Sequence, residues 1–118
     1  MARILLDTDA LIDHLRGARR VSVAPADGAY PSITRAALYA GRDTDEMVID
    51  DLLGAYEEVP VARSIAEEAG RIRREHGLSM PDAIVASTAI LIRRELATRN
   101  RRDFARVTGL TLHEESRA

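Results

Sequence analysis

The sequence predicts a small α/β fold: a short, mostly parallel central sheet with helices on both faces. Three observations point there. Short apolar runs such as Ile4-Leu5-Leu6 end on turn or cap residues, as strands buried on both faces do. Segments with helical periodicity stand between these runs, and such alternation is the mark of a parallel sheet. One helical stretch, residues 83–91, is almost wholly apolar and so reads as a helix buried all round.

Each element has a local reason. Ile4-Leu5-Leu6 is the first strand, and Asp7 stops it. Thr8 and Asp9 can cap a helix, and Leu11, Ile12 and Leu15 follow at helical spacing. Gly17 ends that helix, and residues 19–28 read as a loop. Residues 28–33 predict a second strand, with Pro31 marking its end or an irregularity. Ser32 or Thr34 would cap the next helix, stopped by Gly41. Residues 43–56 predict another amphipathic helix, with Met47, Val48, Leu52 and Tyr56 on its core face and Ile49 and Leu53 broadening it. Residues 57–61 suggest a short strand broken by Pro60. Residues 62–76 carry Ile65, Ala69, Ile72 and His76 on one side of a helix, with Gly77 as its cap. Ser79, Pro81 and Asp82 supply a hydroxyl cap, an early proline and an early acid for the buried helix. Residues 96–98 predict a strand, residues 100–104 a helical turn, and residues 110–113 a last strand. The polar tail from residue 114 should fray.

The 118 residues suit one domain, residues 1–118. Cysteine is absent, which excludes disulfides, thiolate metal sites and a cysteine nucleophile. Lysine is absent too, so all 17 basic residues are arginine, and no lysine-dependent chemistry is available. The arginines cluster at Arg16-Arg19-Arg20, Arg71-Arg73-Arg74 and Arg99-Arg101-Arg102-Arg106, where a solvated helix end is the plain alternative to a phosphate contact. A net charge of -2 gives no global attraction for nucleic acid. No apolar run reaches membrane-spanning length, and a cytoplasmic protein is the expectation.

Three acids share one context. Asp7 ends a strand, Asp82 opens the buried helix, and Asp103 follows the strand at 96–98. In a doubly wound sheet such positions fall on one edge. Carboxylates gathered there repel one another. A hard divalent cation, Mg²⁺ or Mn²⁺, removes the repulsion, and it can activate water against a phosphodiester.

The chain resembles the PIN-domain ribonucleases, and among them the VapC-type toxins of bacterial toxin–antitoxin pairs. The pieces that carry the likeness run in order: Ile4-Leu5-Leu6-Asp7-Thr8-Asp9 with Leu11-Ile12-Asp13; Ser32-Ile33-Thr34-Arg35-Ala36; Leu38-Tyr39-Ala40-Gly41; Pro81-Asp82-Ala83-Ile84-Val85-Ala86; and Thr98-Arg99-Asn100-Arg101-Arg102-Asp103-Phe104. The resemblance implies a PIN-like fold and a Mg²⁺- or Mn²⁺-dependent endoribonuclease with Asp7, Asp82 and Asp103 as catalytic metal ligands. It implies that Thr8, Thr34, Thr98 and Asn100 support the ligands, and that relatives often carry an acid at the Asn100 position. Arg35, Arg99, Arg101 and Arg102 are the candidates for steering an RNA backbone. A VapB-type antitoxin partner and a homodimer are implied as well.

The sequence departs from that pattern at one place. Relatives read Thr-x-x-Glu-Leu where this chain reads Thr34-Arg35-Ala36-Ala37-Leu38. Alanine offers no oxygen, so the site loses a charge and a water-positioning group. The replacement is either a deliberate one, made to silence a toxic nuclease, or a natural degeneracy. The expected consequence is weak or absent cleavage.

Two rivals stand beside the nuclease. One is a catalytically inactive PIN domain that binds antitoxin or RNA. The other is a phosphoacceptor receiver domain, a small α/β fold whose usual lysine this chain lacks. His14, His76 and His113 lie in separate segments with no zinc-hydrolase spacing. No Gly-x-Ser-x-Gly elbow or phosphate loop occurs, and with one Phe, three Tyr and no Trp a base-stacking platform is poor.

Overall fold

The computed structural model describes residues 3–18 and 20–114. Its strands are β1 (Ile4–Leu6), β2 (Gly28–Pro31), β3 (Glu57–Val59) and β4 (Glu95–Ala97). They form one sheet in the order β3-β2-β1-β4, with every pairing parallel. The helices are α1 (Thr8–Leu15), α2 (Ser32–Tyr39), α3 (Glu46–Gly54), α4 (Arg63–His76), α5 (Met80–Ile92) and α6 (Arg101–Phe104). Arg19, in the first arginine cluster and at the start of the expected loop, lies outside the described residues, as does most of the expected frayed tail, residues 115–118.

The strand pleat sorts the core into two layers. Leu5, Ala29 and Leu96 point to one face and pack with Ala69, Ile72, Ala83, Ala86 and Phe104 from α4, α5 and α6. Ile4, Leu6, Tyr30 and Ala97 point to the other and pack with Leu11, Leu38, Ile49 and Leu53 from α1, α2 and α3. Gly28 is required in β2, since a Cβ there would stand 2.6 Å from the Tyr56 ring. The buried helix α5 forms as expected. The Ser79 hydroxyl accepts from the Asp82 amide, and Ala83, Val85, Ala86, Ser87, Thr88 and Ala89 are all buried.

Several expectations need correction. Residues 32 and 33 belong to α2, because β2 stops at Pro31, which is itself the N-cap residue. Neither Ser32 nor Thr34 caps α2. The Ser32 hydroxyl accepts from the Val61 amide instead, and Thr34 meets Thr8. The third helix starts at Glu46, capped by the Asp45 carboxylate on the Met47 and Val48 amides. Met47 is 77% exposed and Val48 49%, so neither joins the core face. Met47 lies about 200° around the helix from Ile49, and Ile49 and Leu53 are the buried pair. The last strand reduces to a single bridge from Leu112 to Leu96, entered from Gly109 in the left-handed region.

The strand order matters for the site. From β1 the chain moves to β2 on one side, and β4 joins on the other. The crevice at the carboxyl ends of β1 and β4 is therefore the switch point, where open α/β sheets collect ligands.

Candidate active site at the carboxyl edge of the sheet

Asp7 follows β1 and Thr98 follows β4, so both sit at that crevice. Register places them there: Leu6 pairs with Ala97, and the Asp7 amide donates to the Ala97 carbonyl at 3.0 Å. The Asp7 side chain is buried, with 2% exposure. The Thr98 hydroxyl donates to Asp7 Oδ2 at 2.6 Å and accepts from the Asn100 amide at 2.9 Å. Asn100 Nδ2 donates to Asp103 Oδ2 at 3.1 Å. One chain of hydrogen bonds thus runs from Asp7 to Asp103.

Electrostatics tie the acids together. Burial pushes the Asp7 carboxyl up to about 6, Thr98 opposes the rise, and the charges of Asp9 and Asp82 add to it. Asp82 is also raised, first by burial, with Asp9 and Asp103 contributing repulsion and the Ser79 contact opposing it. Asp7, Asp9, Asp82 and Asp103 therefore share one field. From sequence, Asp9 reads only as a cap. Its position two residues after Asp7 and in the first turn of α1 is the signal that could have found it.

The chemistry of the donors fits a hard cation. Every acid here offers oxygen, and a desolvated carboxylate crowded by like charges is what such an ion relieves. Their spacing is looser than a closed cage. Among the described residues, no three acidic or histidine side chains are gathered closely enough to hold an ion by themselves. A hard cation such as Mg²⁺ keeps several waters, which suits an open set.

The α2 side is different. The Thr8 and Thr34 hydroxyls meet at 2.8 Å, joining the starts of α1 and α2. One turn further, Ala37 is exposed and lines a groove of about 640 Å³ with Ile12, Leu15, Leu38, Val48 and Ile49. Side chains on a helix lean toward its N-terminus, so a glutamate at 37 would reach back toward Thr34 and Thr8.

The four arginines named from sequence are dispersed. Arg35 bonds Glu58, Asp50 and the Tyr30 hydroxyl. Arg99 pairs with Asp13. Arg101 donates to the His113 carbonyl, and Arg102 is exposed. Sequence reasoning misses the Asp13–Arg99 pair.

Residues 4–110 match the PIN domain family. The chain belongs to the PIN-domain family. This PIN domain is 30% identical over 113 residues to ribonuclease VapC19 of Mycobacterium tuberculosis, with 85% of this chain and 90% of that protein covered. A toxin–antitoxin complex from Klebsiella pneumoniae contains a chain 33% identical to this one, with a TM-score of 0.74 over 92% of this chain and 95% of that one. These likenesses place this PIN domain among the VapC-type toxins. The DNA-bound VapBC of Salmonella typhimurium, 21% identical with a TM-score of 0.84, covers 96% of this chain and 98% of its own and shares the fold. Among the described residues, no helix of this PIN domain is long and apolar enough to cross a membrane.

Proposed function

We propose that this chain is a VapC-type, Mg²⁺- or Mn²⁺-dependent endoribonuclease scaffold whose cleavage is impaired by Ala37. The observation that carries the reading is the buried Asp7 carboxylate at the switch point, raised to about 6 and crowded by Asp9 and Asp82. Asp7, Asp82 and Asp103 would hold the ion. When bound, it supplies charge neutralisation at the scissile phosphate and a water that ionises more readily.

The remaining roles belong to the chain. Thr98 fixes the Asp7 carboxylate through its hydroxyl. Asn100 fixes Asp103 through its side-chain amide. Arg102, exposed one residue before Asp103, is placed to attract a phosphate backbone. Arg101 and Arg99 flank the same turn but are engaged by the His113 carbonyl and by Asp13, and Arg35 would have to leave Glu58 and Asp50 to reach RNA. Ala37 leaves no carboxylate to orient the attacking water from the α2 side.

The test is Ala37→Glu, assayed on RNA with Mg²⁺ or Mn²⁺. The variant should cleave at least about a hundredfold faster, the scale of a lost transition-state contact. Equal activity in both forms removes the role given to position 37.

A second reading has its own support. On it the chain is an inactive module that holds a VapB-type antitoxin; the similar chain from Klebsiella pneumoniae sits in a toxin–antitoxin complex, and that of Salmonella typhimurium in VapBC. The groove beside Ala37 offers Ile12, Leu15, Leu38 and Val48 for apolar contact and Arg16, Arg42, Asp43 and Asp45 for charged contact. On this reading Ala37→Glu gains no cleavage and antitoxin binding persists. Either way we place the protein in the cytoplasm, as a homodimer.

A further inference from the structure

The segment 98–100 gives three consecutive residues to three different acids. Thr98 donates to Asp7, Arg99 reaches Asp13, and Asn100 donates to Asp103. Two of those acids flank one stretch of chain. Asp7 is the N-cap of α1 and Asp13 lies near its other end. The turn after β4 is thus fastened to α1 at two points.

The second fastening is ionic. Arg99 Nε stands 2.6 Å from Asp13 Oδ2, with the Asp13 side chain 13% exposed and Arg99 50%. The contact lacks hydrogen-bond alignment, and among the described residues Asp13 Oδ2 accepts no other hydrogen bond. Among the described residues, the attraction of Arg99 is what holds this oxygen, and a largely shielded carboxylate oxygen that loses its counter-charge is unfavourable. Beside the pair lies a cavity of about 50 Å³, lined also by Arg20, Ser22 and Thr98.

We infer that Asp13 and Arg99 are positioning residues: their ion pair clamps the turn at 98–100 onto α1 and so sets Thr98 against Asp7 and Asn100 against Asp103. The role of the clamp in cleavage rests on the nuclease reading; the clamp itself does not. Arg99 then acts through Thr98 and Asn100, and its guanidinium is committed to Asp13 instead of to substrate phosphate. Two residues are coupled in this way only if neither works without the other.

The experiment is a double-mutant cycle of Asp13→Asn, Arg99→Gln and both together, read in three ways. Hydrogen exchange of the Asn100 amide, which donates to Thr98, should speed up about tenfold in each variant. Mn²⁺ affinity, measured by paramagnetic resonance on the chain as it stands, should fall about tenfold in each single variant and no further in the double. In the Ala37→Glu background kcat should fall with KM unchanged. The charge-swapped Asp13→Arg, Arg99→Asp protein should recover part of both protection and affinity, and it replaces the single variants if they fail to fold. Unchanged Asn100 exchange in the single variants overturns the clamp. So does a rise in KM for Arg99→Gln with Asp13→Asn silent, the pattern of a phosphate contact. Failure of the parent to bind Mn²⁺ refutes the nuclease reading instead, and the exchange data still decide the clamp.

Discussion

The two sides of the Asp7 carboxylate are built differently. Toward β4, a continuous chain of hydrogen bonds joins Asp7, Thr98, Asn100 and Asp103. Toward α2, the polar link is the contact between the Thr8 and Thr34 hydroxyls, and beyond it Ala37 opens on a groove of mixed character, with Ile12, Leu15 and Val48 beside Arg16, Arg42 and Asp43. One side is a connected support for acids, and the other carries an exposed alanine at position 37, where the proposed reading calls for a glutamate. On the proposed reading, the contrast teaches that a site keeps its scaffold after losing a reacting group. Positions that hold the acids are also positions that hold the fold, whereas Ala37 touches little.

The largest effect should come from repairing the poorer side. Ala37→Glu is expected to raise Mn²⁺-dependent RNA cleavage by about two orders of magnitude or more, read as initial rates. Its exposure means the melting temperature should barely change.

The next effect comes from the richer side. The Asp7 carboxyl, near 6 in the fold against an ordinary value of 3.8, binds protons more tightly when folded. Stability should therefore fall as pH rises from about 4 to about 6, by about 3 kcal/mol, and stay flat with respect to this group above that. Asp7→Asn should remove this slope, stabilise the protein at pH 7 in denaturant titrations, and abolish Mn²⁺ binding. Loss of stability at pH 7 in that variant would mean that Asp7 is not held at a cost.

Thr98→Val tests the link between them. It removes the donor to Asp7 and the acceptor for Asn100, and unfolding should become easier by about 2 kcal/mol, the scale of a hydrogen bond to a charged group. Mn²⁺ affinity should fall as well.

Arg35→Ala should do least. Its partners Glu58 and Asp50 are partly exposed, and such pairs contribute about 1 kcal/mol or less. Cleavage by the Ala37→Glu protein should be unaffected, and a marked rise in KM would instead make Arg35 a substrate contact.

How much of this was legible depended on the range of the interaction. Strands and helices follow from local periodicity, and β1, α4 and α5 appear where the pattern puts them. Met47 misleads because the apolar residues of 47–56 run around more than one face of the helix. Only the start set by the Asp45 cap and the packing of Ile49 and Leu53 choose between those faces. The strand at 110–113 misleads because apolar residues after Gly109 reach the sheet edge for one bridge only. The placement of Asp7, Asp82 and Asp103 near one edge is readable because each sits at or beside an element boundary. Asp13 is not, since its partner Arg99 comes from the far end of the chain and meets it only once β4 lies beside β1.

The most direct measurement is anomalous diffraction from a crystal of the chain equilibrated with Mn²⁺. A peak within bonding distance of an Asp7 oxygen, with Asp82 and Asp103 turned toward it, is the expected result. Manganese absent from that crevice at millimolar concentration, or bound only elsewhere, would contradict a metal-dependent site at the carboxyl edge of β1.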